Sequence, residues 1–310
     1  MESSKLFENL KGKNITESSL KLYLNNLKRL NGNEIPKSFT FLKDVESILE
    51  KIKHYKPNTQ RSYIVSIVSL LKHEPKMKKY YQRYYDIMME FNKNLKVNNE
   101  KSETQKTNWI SQEEVKELYG KMTEDVLEVV KDKKKLTASE YDKLLRWVIL
   151  SLYTLQKPRR NADYQLAMIC KTTIPEDKSF NYLDLATNKW HFNNYKTKGT
   201  YKTQEQEILP EMLEVLEVYF KFHPHSKLIK KKSSLVPLLV DFEGNPFQQT
   251  NTITRYLNKI FGKRIGVSML RNIYLTDKFG EKVKELNDTA EAMGTSSNTI
   301  MNNYVKVEDK

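Results

Sequence analysis

The 310-residue sequence predicts a mainly α protein with one small antiparallel β-sheet, an α+β class, divided into two domains. Three observations predict it. Apolar residues recur at helical spacing through most of the chain. One stretch near residues 182–209 reads as short strands between polar turns. A segment nearly devoid of apolar residues separates a basic front third from the remainder.

Taken in order, residues 16–30 place Leu20, Tyr23, Leu24, Leu27 and Leu30 on one helix face, behind a Thr16 suited to cap the first turn. Further helices are expected over residues 41–52, over 59–71 after Pro57, and over a Tyr- and Met-rich stretch at 78–95. Residues 1–97 thus form a helical domain. From Lys96 the chain reads KVNNEKSETQKT, the composition of a linker, placed at 98–107. The second domain, 108–310, opens with Ser111 and Glu114 at capping-box spacing, and Thr137 with Glu140 repeats the device. A long helix through Leu144, Trp147, Val148, Leu150 and Leu152 ends before Pro158. The strand region carries Trp190, Phe192 and Tyr195 and a hairpin turn at 197–200 around Gly199. After Pro210 helices return, at 250–261, 268–279 and in a last one ending near Tyr304.

Composition narrows the function. With 38% hydrophobic and 30% charged residues the chain is too apolar for wholesale disorder. No twenty-residue apolar run and no signal-peptide pattern appear, so a soluble intracellular protein without membrane association is expected, in the cytoplasm or a host nucleus. The single cysteine, Cys170, excludes an internal disulfide or a cysteine metal cluster, and its apolar neighbours point to a buried thiol. No phosphate loop, HExxH or paired CxxC motif supports an NTPase or zinc enzyme. The formal charge of +14 points to a polyanion, nucleic acid first, and residues 1–107 carry 21 basic against 12 acidic side chains. Only nine basic residues are Arg, so positions that keep Arg are candidates for its planar bidentate fork.

Those positions include Arg159-Arg160 after the long helix and Arg271 on a later one. Lys198 beside Gly199 and Tyr304 complete a set of phosphate-handling residue types. In the front domain, Lys78 and Lys79 with Arg83 interleave with tyrosines in KKYYQRYY, and Arg61 lies on the preceding helix. That interleaving fits a DNA-facing helix and, equally, an amphipathic helix burying its tyrosines. The Lys133–Lys135 and Lys230–Lys232 runs read as solvated faces.

The order and spacing of these residues resemble the tyrosine recombinase (phage integrase) family across nearly the whole chain. Gly294-Thr295-Ser296-Ser297 followed by Met301-Asn302-Asn303-Tyr304-Val305 is similar to the family's Gly-His-Ser box and its nucleophilic tyrosine. Ser268-Met269-Leu270-Arg271 resembles the His-x-Leu-Arg box, which makes Arg271 the second arginine. Lys198-Gly199 resembles the Lys-Gly of the family's hairpin turn, with Lys196 and Lys202 as competing neighbours. Arg160 with Asp163 resembles the first arginine and its acidic neighbour, and a register one residue earlier puts Arg159 there.

The resemblance implies a helical core-binding domain and a mixed catalytic domain closing on double-stranded DNA, with a homo-tetramer assembling on two duplexes from chains that are monomers or dimers when free. It implies strand cleavage and rejoining through a 3′-phosphotyrosine, with no metal, ATP or other cofactor, to integrate or excise a mobile element or viral genome. Arg160, or Arg159, and Arg271 would stabilise the transition-state charge, and Lys198, or Lys196, would protonate the leaving 5′-oxygen. Two positions depart from the family pattern: Ser268 stands where His or Lys is common, and Thr295 where His or Trp is. Losing an acid or base costs about 100- to 10,000-fold in rate. Ser and Thr still donate hydrogen bonds to phosphate oxygens, and Lys263 or His225 are candidates to substitute. The departures leave a catalytically impaired DNA-binding protein as an alternative outcome, and a type IB topoisomerase is the alternative with the same chemistry.

Overall fold

The computed structural model describes residues 15–95, 100–165, 167–171, 174–231, 235–249 and 251–306. The chain forms two compact units, Met1–Glu100 and Lys101–Lys310. Parts of three expectations, the first residues of the linker, Lys232 in its lysine run and Thr250 as a helix start, lie outside the described residues.

In the first unit α1 (Glu17–Leu30) begins where the Thr16 hydroxyl accepts from the Ser19 amide, satisfying one orphan donor of the first turn. The helix expected over 41–52 is two pieces: a 3-10 turn (Thr40–Lys43) and α2 (Val45–Ile52). Asp44 divides them, because its carboxylate accepts from the Ser47 amide and serves better as a cap than as a helix interior. Then α3 (Pro57–Leu71) starts on a proline, whose missing N–H costs nothing there. It packs on α4 (Lys78–Asn94). Leu27, Leu42, Ile48, Tyr63, Ile67 and Tyr84 form the core. Buried Asn26 is satisfied by Ser66 Oγ at 2.9 Å, and the Tyr84 hydroxyl donates to the Leu42 carbonyl at 3.0 Å.

The second unit opens with a correction. Part of the expected linker is a helix, α5 (Glu103–Asn108), held by a capping box between Ser102 and Gln105. Its low apolar content hid it, while the Ser-x-x-Gln spacing was present in the sequence. Both capping boxes read from the sequence form, at the starts of α6 (Gln112–Val130) and α7 (Ala138–Thr154). Nearly every residue in the second half of α7 is buried, since α6 and two later helices, α10 (Pro210–Phe222) and α12 (Thr252–Phe261), pack around it. After α7 the short α8 (Asn161–Gln165) leads into the sheet.

The sheet has five strands in the order β4-β3-β2-β1-β5 and is mixed, not purely antiparallel. β1 (Ala167–Cys170) and β2 (Asn181–Asp184) are parallel, with Ala167 opposite Asn181 and Cys170 opposite Asp184. β3 (Lys189–Phe192) and β4 (Gln204–Glu207) extend it antiparallel, and β5 (Val236–Pro237) closes the other edge. The turn expected at 197–200 is instead a longer connection holding one helical turn, α9 (Lys198–Tyr201). Beyond α10 the four-residue α11 (Ser226–Ile229) follows. The helix expected to end at Phe279 runs on as α13 (Val267–Ala292). A mid-helix glycine such as Gly280 costs only about 1 kcal/mol, less than the good helix formers after it return. Gly294 at φ +65° then stops it in a Schellman arrangement, with the Thr295 amide bonded to the Ala290 carbonyl at 2.9 Å. A last segment, α14 (Ser297–Thr299), continues as a π turn over Ile300–Tyr304. Among the described residues no helix is long and apolar enough to cross a membrane.

Candidate active site

The two adjacent arginines after α7 do different things. Arg159 is consumed by the fold: its Nε donates to Asp163 Oδ2 and its NH1 to Gln204 Oε1, both at 3.0 Å. Its guanidinium carbon lies 3.7 Å from the Phe192 ring centroid and 5.1 Å from that of Tyr195. The side chain is 17% exposed and Asp163 3% exposed, so Arg159 joins α8 to β4 in a dry setting, through its ion pair with Asp163 and its hydrogen bond to Gln204. Beneath it Phe192 stacks on Trp190 at 5.6 Å, Tyr164 meets Trp190 edge-on, and Trp190 Nε1 donates to Gln156 at 2.9 Å. Burial raises the Asp163 carboxyl above its ordinary value, even though Arg159 pulls it down.

Arg160 makes no salt bridge among the described residues, and it lines a cleft of about 570 Å³. Arg271 and Ser268, from the first two turns of α13, line the same cleft, with Arg264 from the loop before it. None of the described residues lining it is acidic. Burial, and next the charge of Arg160, lower the Arg271 pKa, and Asp163 opposes them. Lowered or not, a guanidinium stays protonated at neutral pH, so the cleft concentrates positive charge with little local compensation. Such a site binds an oxyanion through charge-assisted hydrogen bonds. Its walls are set by close packing: Asn161 Nδ2 donates to Thr254 Oγ1 at 2.9 Å, and a Cβ on Gly266 would meet Thr254 Cγ2 at 3.2 Å.

The structure therefore brings Arg160, Ser268 and Arg271 together, with Arg159 behind them. Lys196 and Lys198 are exposed on the β3–β4 connection and do not line the cleft, and Lys198 Nζ donates to Asn194 Oδ1 at 3.0 Å. Thr295 and Tyr304 lie beyond the far end of α13, outside the cleft, and Tyr304 is 64% exposed. His225 is tied to the Gly244 carbonyl at 2.8 Å, and Lys263 lines a neighbouring depression rather than the cleft.

Sequence reading missed Arg264, although its rarity among lysines was a signal. It also missed Asn181. That fully buried side chain donates to the Asp163 and Asn194 carbonyls and accepts from the Asn193 and Asn194 amides. Asn181 thereby pins α8 to the connection that carries Lys198. An asparagine at a strand start shows no such role in one dimension.

In the first unit the tyrosines of KKYYQRYY turn toward the core, Tyr84 fully and Tyr80, Tyr81 and Tyr85 in part, which is the amphipathic alternative. Arg83 pairs with Glu46, and Arg61 donates to Asn92. Lys78 and Lys79 are exposed and without an ion pair among the described residues. No group of three His, Cys, Asp or Glu among the described residues is placed to hold a metal.

No family model matches the chain, and neither the curated proteins nor the solved structures hold a match to it.

Proposed function

We propose that this protein is a tyrosine-type DNA strand transferase, a recombinase or integrase acting without metal or ATP. The observation that carries the reading is the convergence of Arg160, Ser268 and Arg271, from distant parts of the chain, in one cleft with no acid among the described residues that line it. Two rigid forks on the non-bridging oxygens of a phosphodiester stabilise the charge that builds in the pentacoordinate transition state. The Tyr304 phenolic oxygen bonds to phosphorus, the P–O5′ bond breaks, the phenolic proton passes to solvent, and the 5′-oxygen takes up a proton. Lys198 is the candidate donor of that proton. The 5′-hydroxyl of another strand then reverses the step, so no external energy source is consumed. Strand exchange between two duplexes held by four chains, to integrate or excise a mobile element or viral genome, belongs to this reading. So does DNA contact by the basic first unit, through Lys78, Lys79, Arg61 and Arg83.

A second reading, a DNA-binding protein that has lost catalysis, is favoured by Ser268 and Thr295 and by the position of Tyr304 outside the cleft. Nicked duplexes that let a short strand diffuse away after cleavage separate the two. A covalent protein–DNA band on a denaturing gel, present in wild type and absent in Tyr304→Phe, is the expected result. DNA that both proteins shift on a native gel, with no covalent band from either, overturns the strand-transferase reading in favour of the binder.

A further inference from the structure

Among the described residues three arginines line the cleft, and the strand-transfer chemistry uses two of them, Arg160 and Arg271. The third, Arg264, is built into a turn that presents it. α12 ends at Gly262, whose φ of +60° takes the chain out of the helix. The Ile265 amide then donates back to the Lys263 carbonyl at 2.9 Å, a three-residue turn with Arg264 at its apex. Fully buried Ile265 anchors one side of that apex. On the other side the Arg264 amide donates to Asn108 Oδ1 at 3.0 Å, and Asn108 Nδ2 donates in turn to the Thr104 carbonyl at 2.9 Å, so α5 clamps the turn. The main chain of Arg264 is thus held from both sides, while the residue is exposed and makes no ion pair among the described residues. A clamped backbone that leaves the guanidinium unpaired is pre-organised for an anion from outside the chain.

The place of Arg264 says which anion. It lines two hollows at once: the cleft of Arg160 and Arg271, and a neighbouring depression of about 830 Å³ that Lys263 also lines. The single acid among the described residues lining that depression, Glu103, is paired with Lys106 at 2.9 Å. Positive charge therefore runs on from the cleft instead of ending there. Arg264 stands four residues before Ser268, and an extended chain spans at most about 3.5 Å per residue, so the two lie within about 14 Å. Phosphates recur about every 3.4 Å of axis along one DNA strand. A strand whose scissile phosphate lies at Arg160 and Arg271 therefore brings another phosphate to Arg264 within about four nucleotides.

We propose that Arg264 holds a second phosphate of the cleaved strand, and that this strand leaves the cleft across the Lys263–Arg264 turn. The proposal rests on the strand-transferase reading and adds a positioning contact to it. A phosphate gripped at one point can still swivel. A second grip further along fixes the direction of the strand, and with it which oxygen of the scissile phosphate faces away from the nucleophile. Arg264 then acts through the strand's orientation, and Arg160 and Arg271 act on the charge of the transition state.

The test reads binding of a short unbroken duplex across a series of salt concentrations, with Tyr304→Phe as the parent chain so that no covalent product accumulates. Urea unfolding followed by tryptophan fluorescence shows that each variant folds. Arg264→Ala should weaken binding about tenfold and flatten the plot of log K against log salt by about 0.9, the share of one phosphate contact. Arg264→Lys should restore the slope, because its charge releases the same counterion, and should leave part of the affinity missing, because the fork is gone. Added to Arg271→Ala, Arg264→Ala should lower the slope by a further 0.9 or about that, since the two side chains hold different phosphates. A slope for Arg264→Ala equal to the parent's overturns the proposal. A double variant with the slope of Arg271→Ala alone puts both arginines on one phosphate and overturns it too. Absence of covalent adduct from wild type on the nicked duplex overturns the strand-transferase reading and leaves these slopes untouched, because they are measured without cleavage. A parent chain that binds no duplex overturns both.

Discussion

Replacing Arg159 or Arg160 by alanine distinguishes two neighbours that look alike in the sequence. Arg159→Ala removes both hydrogen bonds of the guanidinium and leaves Asp163, 3% exposed, as a buried carboxylate without its counter-charge. Breaking one side of a buried ion pair costs about 3–5 kcal/mol, most of it the penalty on the stranded charge. At the lower end, about 3 kcal/mol corresponds to roughly 10 °C in Tm for a domain of this size. The loss is also pH-dependent. Burial already raises the Asp163 pKa in the native fold, and losing Arg159 removes the largest influence holding it down. A carboxyl with a raised folded pKa favours the folded state in its protonated form. That stabilisation is present at low pH and lost as pH rises through the folded pKa. The deficit of Arg159→Ala relative to wild type should therefore shrink on going from neutral pH to about pH 5. Arg160→Ala removes no ion pair among the described residues and relieves repulsion on Arg271, so its stability should stay within about 0.5 kcal/mol of wild type while covalent adduct is lost. The assay is urea unfolding followed by tryptophan fluorescence. All three tryptophans, Trp109, Trp147 and Trp190, lie in the second unit, and Trp190 is buried beneath Arg159, so the signal reports the right core. A loss below about 1 kcal/mol for Arg159→Ala, an equal loss for Arg160→Ala, or a deficit independent of pH would refute the reasoning.

Asn181→Ala strands two carbonyls and two amides around a fully buried site and should cost about 3 kcal/mol; limited trypsin digestion should then cut faster at Lys196 and Lys198. Lys78→Ala with Lys79→Ala should flatten the plot of log K against log salt for duplex binding by about 2, one phosphate contact each. Arg83→Ala should change it less, because Arg83 is already paired with Glu46. Burial, aided by the charge of His225, lowers the His223 pKa to about 4. A histidine with a depressed folded pKa stabilises the fold above its unfolded value and loses that contribution as pH falls between about 6.5 and about 4. Second-unit stability should drop across that window by at most about 3 kcal/mol, and His223→Gln should flatten the drop, as read by tryptophan fluorescence against pH.

Helices were legible where an apolar stripe accompanied a cap, as at Thr16, Ser111 and Thr137. Where composition outvoted the cap, at Ser102 and Gln105, the helix was missed. β1 was missed for another reason: AMIC is a short, fully apolar run, and periodicity cannot separate a strand buried on both faces from a helix segment. With β1 unseen, its parallel pairing with β2 was unseen too. The extra length of α13 went unread because Gly280 looks like a stop and costs only a little inside a helix.

The candidate site divides along the same line. The sequence by itself determined the residue types, the basic balance and the motif order in which Arg160, Ser268, Arg271 and Tyr304 occur, because these are properties of composition and spacing. Only the tertiary structure decided which of two adjacent arginines is held by Asp163 and Gln204 and which opens into the cleft, and that Arg264 joins it. It also decided that a rigid helix separates Tyr304 from Arg271 within one chain. Burial and side-chain direction depend on what packs against each residue, and those partners come from segments far away in sequence.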